Sequence, residues 1–180
     1  AKTITSLGGN MMRVAVKEPE DLLKVRELAE RIESLNLRIL MHLHINTFCD
    51  STSRCVEAIQ TVDHPSVALL FDPAHLVLAG ETDLIQATNQ LLPWIGLINI
   101  QSVRRTEPTE SQGSIRGYNN QWWEYIPAQE KGAIDFPLLL NHLRDSGYTG
   151  WLNVMPPTEP DEDAVATARG YFDLLAPWSS

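Results

Sequence analysis

Short apolar runs alternate with longer segments of helical periodicity along most of the chain, from Met11 onward. In the segment "EPEDLLKVRELAERIESLN" the apolar residues recur with helical spacing, Pro19 stands near the start and acidic residues crowd the first turn, all typical of an amphipathic helix. The alternation predicts five βα units with a parallel sheet inside and helices outside. The predicted strands are "MMRVAV", "LRILMHLHI", "SVALLFD", "GLINIQ" and "WLNVMP", and the other predicted helices are "STSRCVEAIQTV", "ETDLIQATNQLL", "DFPLLLNHLRDSG" and residues 161–175.

The five units follow one another without a linker, so we expect one domain over residues 1–180. The exception is residues 104–133, a long stretch rich in turn-forming residues that predicts an irregular segment with at most one short strand near Ser114–Tyr118. Loops of this length in compact domains are usually functional or mobile, although a surface excursion anchored by its tryptophans is an equal alternative.

Composition and charge narrow the function classes. With 43% hydrophobic and 21% charged residues the chain has the composition of a globular domain. A formal net charge of −9 argues against a nucleic-acid or anionic-membrane partner, because such binding needs clustered Lys and Arg. No apolar run approaches the roughly 20 residues of a membrane span, and the start resembles no signal peptide, so we expect a cytoplasmic protein. Cys49 and Cys55 match no zinc or redox spacing and are expected to be free thiols.

Candidate chemistry lies where two predicted strands end. His42 and His44 are two residues apart and therefore point to the same face of their strand. Asp72 and His75 follow the next strand, at the carboxyl end where α/β proteins place their ligand sites. Three imidazoles and a carboxylate would suit a zinc or iron ion, but hydrogen-bonded rim residues without a metal remain an alternative. Two further histidines, His64 and His142, are expected to be structural or solvent-facing.

The order of four motifs resembles the later part of the xylose isomerase-like TIM barrels, a family that includes sugar-phosphate isomerases, epimerases and inosose dehydratases. The resemblance implies an incomplete (β/α)8 barrel, with parallel strands, outer helices and the first strands missing. It also implies a divalent ion (Mn, Mg, Co or Zn) held by two glutamates, an aspartate and a histidine, acting on a sugar or polyol with a carboxylate as base. The motifs are "ILMHLHINT", "VDHPSVALLFDPAHLVLAGE", "GLINIQSVRR" and "GAIDFPLLLNHLRDSGYTGWLNVMPP".

Most of the implied ligands are substituted in this chain. Asp72 matches the aspartate, whereas His42 stands at the first glutamate, Asn99 at the histidine and Met155 at the last glutamate, which in the family is both ligand and base. Glu159, four residues beyond Met155, could restore that carboxylate only if the loop is shifted. The implied assignments are metal ligands His42, Asp72 and Asn99, and catalytic residues His44 and His75.

Two functions follow from these substitutions. The first is a degenerate sugar-phosphate isomerase or epimerase-like barrel that binds a ligand or partner and needs no metal. The alternative is an active metal-dependent sugar or polyol isomerase or epimerase with a rewired ligand set, in which residues 104–123 form a lid. In that case Arg104, Arg116 and Trp122 are expected to bind the substrate, with the arginines able to bind a phosphate group.

A complete barrel normally needs roughly 200 residues or more. The open sheet implied here would expose strand edges and core surface, which drive association. The chain is therefore expected to form a homo-oligomer or to bind a second subunit that completes the barrel, unless it is a fragment or an unusual open fold. A flavodoxin-like open sheet is the alternative fold.

Overall fold

The computed structural model describes residues 1–108, 113–157 and 163–178. Its strands are β1 (Met11–Val14), β2 (Arg38–His42), β3 (Val67–Phe71), β4 (Ile95–Ile100), β5 (Ser102–Thr106), β6 (Ser114–Arg116), β7 (Trp122–Ile126) and β8 (Trp151–Val154). Five of them form one parallel sheet in the order β1-β2-β3-β4-β8, in which every neighbouring pair is parallel. The prediction of a parallel α/β sheet is confirmed.

Seven α-helices accompany the strands in the described part of the chain. Several begin at an acidic or hydroxyl residue whose side chain accepts a hydrogen bond from a backbone N–H of the first turn, as Ser51 and Asp135 do. The helices are α1 (Lys2–Ser6), α2 (Asp21–Ile32), α3 (Thr52–Val62), α4 (Pro73–Ala79), α5 (Leu84–Leu91), α6 (Phe136–Asp145) and α7 (Ala164–Leu175).

The helices pack on one face of the sheet and leave the other face partly open. On the covered face, residues such as Ile39 and Met41 belong to the main hydrophobic core. On the other face a small cluster centred on Leu40 and Leu70 is buried. Trp151, which pairs with Leu97 of that cluster, is 65% exposed. Within the described part of the chain β1 and β8 each pair on one side only, so the sheet is an incomplete barrel, as expected.

The prediction of a long irregular segment after β4 is wrong in part, because the segment contains residues of three strands. Strands β5, β6 and β7 form a three-stranded antiparallel sheet in the order β5-β7-β6. The aromatic and β-branched residues of "WWEYI" favour a strand, and pairing with β5 completes it. The short strand expected near Ser114 is confirmed as β6, but it belongs to this second sheet.

Two helices were not predicted, α1 and α4. Helix α4 follows β3 directly, with Pro73 in its first turn, and ends at Gly80, whose φ of 97° suits glycine. All of its residues from Pro73 to Leu78 are buried. Asp72 is the N-cap of this helix and His75 lies in its first turn, so the helix positions both of these candidate residues.

Among the described residues, no helix combines the length and apolarity that a membrane crossing requires. Cys49 and Cys55 are both buried free thiols, as expected.

Candidate functional site

Four candidate residues meet at the carboxyl ends of the three central strands. His42 is the last residue of β2, Asp72 follows β3 as the N-cap of α4, and His75 lies in the first turn of α4. Asn99 lies near the end of β4. Because these strands are parallel neighbours, their ends bring the side chains to one edge of the sheet.

The carboxylate of Asp72 is the centre of this group and is 0% exposed. Its Oδ2 accepts a hydrogen bond from Asn99 Nδ2 at 2.8 Å. The same oxygen lies 3.5 Å from His42 Nε2 and 3.9 Å from His75 Nε2. Asp72 Oδ1 is also buried but has no hydrogen-bond partner within the described chain.

Asn99 is held from both ends of its amide. While its Nδ2 donates to Asp72, its Oδ1 accepts a hydrogen bond from Asn153 Nδ2 at 2.9 Å. Asn99 and Asn153 are register partners between β4 and β8, so the pairing of these strands fixes the contact. The result is a chain of hydrogen bonds that runs from β8 through β4 to Asp72.

The rings of three histidines lie close together beside this carboxylate, at tilted or edge-on angles to one another. The centroid of the His44 ring lies 3.6 Å from that of His75 and 5.0 Å from that of His42. His44 Nδ1 lies 2.6 Å from the carbonyl oxygen of Ile45, which can only accept, so Nδ1 carries a proton. In the neutral ring Nε2 is then the free acceptor.

Burial dominates the acid–base behaviour of two of these rings. Desolvation lowers the pKa of His44, although its hydrogen bond to Ile45 opposes the shift. Desolvation lowers the pKa of His75 to about 4, and the nearby Asp72 carboxylate only partly offsets this. Both imidazoles are therefore neutral near pH 7, the form that can accept a proton or bind a metal ion.

The donor atoms fit a metal ion. One ligand atom each from His42, Asp72 and His75 lies within 4.8 Å of the others, and all three residues are buried. Buried polar atoms nearly always have a partner, yet Asp72 Oδ1 and His75 Nδ1 have none in the described residues. A cluster of this composition could bind a metal ion.

The second sheet places Tyr125 near the cluster. Burial raises the pKa of the Tyr125 hydroxyl to about 12, and the charge of the Asp72 carboxylate adds to that shift. Sequence reasoning did not identify Tyr125, although the alternation of Trp123 and Tyr125 in "WWEYI" could have placed both on one face of a strand. Arg105, the register partner of Trp123, shares that face.

The three predicted substrate-binding residues lie on the other face of this second sheet. Trp122 is the register partner of Arg116, and Arg104 pairs with Glu124 next along β7. The Arg104 guanidinium forms exposed ion pairs with Glu124 at 2.8 Å and Glu130 at 3.0 Å. The structure does not bring these residues to the histidine cluster.

The predicted lid segment is joined to the loops around the site. The Tyr118 hydroxyl accepts a hydrogen bond from the backbone N–H of Asn46 at 2.7 Å and donates one to Asp50 Oδ2 at 2.9 Å. The backbone N–H of Tyr118 donates to the carbonyl of Leu78 in α4. These contacts tie the turn between β6 and β7 to the loop after His44.

The position of the last family glutamate carries no carboxylate. Met155 directly follows β8, is half-buried, and its backbone N–H donates to the carbonyl of Ile100. Glu159 lies outside the described residues. The two histidines expected to be structural make local contacts, His64 with the backbone N–H of Ser66 and His142 with Asn89.

A cleft of about 600 Å³ is lined by residues at the amino ends of the strands, among them Arg38, Ser66 and Trp151. It contains none of the clustered histidines. Since ligand sites of α/β folds lie at the carboxyl ends of the strands, the group around Asp72 is the better candidate for a functional site than this cleft.

A family model described as xylose isomerase-like TIM barrel matches residues 22–174. The chain belongs to this family. Among curated relatives, an inosose dehydratase of Lacticaseibacillus casei is 29% identical over 157 residues, covering 83% of this chain and 51% of the relative. The chain therefore spans about half the length of the curated relatives it matches.

Solved structures of low sequence identity share the fold. The IOLI protein with a bound zinc atom has a TM-score of 0.72 at 18% identity, with 99% of this chain and 67% of that chain covered. A xylose isomerase-like TIM barrel protein from Mycobacterium smegmatis in complex with magnesium has a TM-score of 0.71 at 16% identity, with 94% and 62% covered. Structural neighbours thus include zinc- and magnesium-bound proteins.

Proposed function

We propose that this chain carries the metal-dependent site of an enzyme that moves a proton on a sugar or polyol, in an isomerisation, epimerisation or dehydration. The observation that carries the proposal is the buried cluster of His42, Asp72 and His75, in which Asp72 Oδ1 and His75 Nδ1 have no partner in the described chain. The name of the relative from Lacticaseibacillus casei supports the same reaction class.

The cluster favours this enzymatic alternative over the degenerate barrel. A buried polar group without a partner costs about 1–3 kcal/mol of stability. A barrel that served only in assembly would lose stability by retaining two unpaired polar atoms, Asp72 Oδ1 and His75 Nδ1, beside three imidazole rings. Their presence is explained if a substrate and an ion satisfy them during function.

We assign the metal to this edge of the sheet, with His42 and Asp72 among its ligands. A divalent ion bound there would polarise the oxygens of a carbonyl or hydroxyl group and make the neighbouring C–H or O–H more acidic. Asp72 is held in place for this role by the amide of Asn99.

We assign proton transfer to His44. Its Nε2 is the acceptor of a neutral ring, because Nδ1 is committed to the Ile45 carbonyl. With Met155 at the position of the glutamate base, an imidazole is the nearest general base available to a substrate bound beside Asp72.

We move the proposed substrate contacts from Arg104, Arg116 and Trp122 to Arg105 and Tyr125. Arg105 and Tyr125 lie on the same face of the second sheet. Tyr125 is close enough to Asp72 for the charge of that carboxylate to contribute to its raised pKa. The raised pKa keeps the Tyr125 hydroxyl protonated, so it can donate a hydrogen bond to a substrate oxygen. Arg105 makes no ion pair with any described residue and can therefore bind an anionic or hydroxyl group.

We further propose that other barrel strands, from a second copy or another subunit, cover the open face of the sheet. The exposure of Trp151 on that face supports this. The covering strands would supply the remaining wall of the substrate site.

The test is exchange of a carbon-bound proton with solvent. Purified chain, loaded with one divalent ion, is incubated in D2O with an inosose and with a panel of keto sugars, and deuterium incorporation next to the carbonyl is followed by NMR. We expect incorporation with at least one substrate, and loss of it in His44→Gln. The matched control is His142→Gln, which replaces a partly buried histidine outside the site and should leave the exchange rate unchanged. Absence of exchange in a folded, metal-loaded chain would overturn the proposal.

A further inference from the structure

We propose that the metal ligands are His42, Asp72 and His75, that Asn99 is a positioning residue outside the ligand set, and that the site therefore prefers Zn²⁺ over Mg²⁺. The inference rests on the proposed function only in using the same site. It revises the ligand set that the family resemblance implies, in which Asn99 would occupy a ligand position and His75 would contact substrate.

The orientation of its amide excludes Asn99 from the ligand set. A carboxylate only accepts hydrogen bonds, so the group facing Asp72 at 2.8 Å must be Nδ2, which cannot bind a metal ion. The amide oxygen consequently faces Asn153, from which it accepts a hydrogen bond at 2.9 Å. Asn99 thus presents its donor to the site and turns its only metal-binding atom away from Asp72.

His75 lies close enough to Asp72 and His42 to complete the ligand set. Its Nε2 lies 3.9 Å from Asp72 Oδ2, and His42 Nε2 lies 3.5 Å from the same oxygen. In a tetrahedral zinc site with bonds of about 2.1 Å, neighbouring ligand atoms are separated by about 3.4 Å. Small side-chain adjustments would therefore complete a zinc site. The other nitrogen of His75, Nδ1, has no partner in the described chain, so nothing there competes for the ring.

His75 and His44 differ in their capacity to bind the ion, although their rings are adjacent. His44 uses Nδ1 to bind the Ile45 carbonyl, and His44 does not belong to the group of mutually close ligand atoms. His44 is also only partly buried, whereas His75 is 3% exposed. The structure therefore divides the two rings into a ligand and a candidate base.

The ligand set determines the metal. Two imidazoles and one carboxylate form a site that suits zinc, with a further position open for substrate. Mg²⁺ prefers oxygen ligands in an octahedron and gains little from neutral nitrogens. Replacement of a family glutamate by His42, together with the use of His75, converts an oxygen-rich site into a nitrogen-rich one. We expect Zn²⁺ to bind at least about 100-fold more tightly than Mg²⁺, in the order that nitrogen ligands impose.

The experiment measures binding of the metal alone. Chelator-stripped chain is dialysed against Zn²⁺ with and without excess Mg²⁺, and bound metal is counted by mass spectrometry while circular dichroism monitors folding. Wild type should bind one zinc per chain and retain it in a 100-fold excess of Mg²⁺. His75→Ala should lose the ion, whereas the matched variant His44→Ala should keep it. Asn99→Ala should keep the stoichiometry but bind about 10–100-fold more weakly, as expected for a residue that orients a ligand.

A second measurement needs no variant and covers the case in which His75→Ala does not fold. Zinc is titrated into ¹⁵N-labelled wild-type chain, and the imidazole nitrogens are observed by NMR. Ring nitrogens of two histidines, His42 and His75, should shift strongly, and those of His44 should not. Retention of zinc by folded His75→Ala, equal loss in His44→Ala, displacement by equimolar Mg²⁺, or a zinc-dependent shift of His44 in place of His75 would each overturn the inference.

The two proposals fail in different ways. A chain that binds zinc through His42, Asp72 and His75 but never exchanges a substrate proton would refute the proposed function alone. A chain that exchanges protons equally well with Mg²⁺ and without the His75 imidazole would refute the ligand set alone.

Discussion

Replacing Asn99 with alanine tests whether this residue holds the central carboxylate. Asn99 and Asp72 are both 0% exposed, and the 2.8 Å hydrogen bond between them is the shortest contact that Asp72 Oδ2 makes in the described chain. A hydrogen bond to a charged group contributes about 1.5–3 kcal/mol. We therefore expect Asn99→Ala to lower the free energy of unfolding of the metal-free protein by about 2 kcal/mol, which for a chain of this size corresponds to about 4–8 °C in Tm.

The interaction is isolated by a double-mutant cycle with Asp72→Asn. In that background the lost hydrogen bond joins two neutral amides and contributes only about 1 kcal/mol, so the coupling energy should be about 1 kcal/mol. Urea denaturation followed by circular dichroism measures all four proteins at one pH in the presence of a chelator. Asn153→Ala is the matched control, because it removes the other hydrogen bond of Asn99 from an exposed partner and should cost less than about 1 kcal/mol.

A coupling energy below about 0.5 kcal/mol would refute the reasoning, because such a value is within the additivity error of independent sites. It would mean that Asn99 stabilises the fold by packing and does not orient Asp72. An Asn153→Ala penalty as large as that of Asn99→Ala would point instead to the pairing of β4 with β8 as the source of the effect.

Three further expectations concern the second sheet and the open face. Arg105→Ala should raise KM for the substrate about 10-fold, the equivalent of one charged contact of about 1.4 kcal/mol, while Arg104→Ala should leave it unchanged, as steady-state kinetics would show. Gly117→Ala should lower the unfolding free energy by about 1–3 kcal/mol in urea denaturation, because a Cβ there would lie 2.6 Å from the Leu78 carbonyl oxygen. Trp151→Glu should increase the monomeric fraction in sedimentation velocity, because it places a charge on the open face.

Each expectation has a clear contrary result. Equal KM changes in the two arginine variants would mean that the face of the second sheet does not select substrate contacts. A Gly117→Ala protein as stable as wild type would show that the turn relaxes without cost. An unchanged sedimentation coefficient for Trp151→Glu would mean that the chain does not associate through the open face of the sheet.

The parallel sheet could be predicted because its strands are covered on one face by helices and at least partly buried on the other, which leaves continuous apolar runs such as "VALLF" in the sequence. Helix α4 escaped prediction because its seven residues, "PAHLVLA", have no polar face from which periodicity can be read. The second sheet escaped because β5 reads "SVRRT", two arginines with little apolar alternation, and only its register with β7 explains it as a strand.

The same distinction applies to the site. His42, Asp72 and His75 could be predicted because each lies at or just beyond a strand end that the apolar pattern itself marks. Tyr125 and Asn153 could not, because their roles depend on contacts between elements distant in sequence. Asn153 reaches the site only through its register with Asn99, and Tyr125 only through the face on which β7 presents it. Which strands pair, and which face of a strand is turned toward the site, are tertiary properties that no local pattern encodes.

The proposed ligands His42, Asp72 and His75 lie at the ends of β2 and β3, and this placement has a consequence for how metal binding would be lost on partial unfolding. In the described part of the chain, β2, β3 and β4 each have a hydrogen-bonded neighbour on both sides, whereas β1 and β8 have one. Edge strands open at lower free energy than the strands they flank. Fraying of β8 would therefore remove the support that Asn153 gives to Asn99 while His42, Asp72 and His75 keep their positions. Metal affinity should thus decline gradually as β8 opens and disappear abruptly only when the centre of the sheet unfolds.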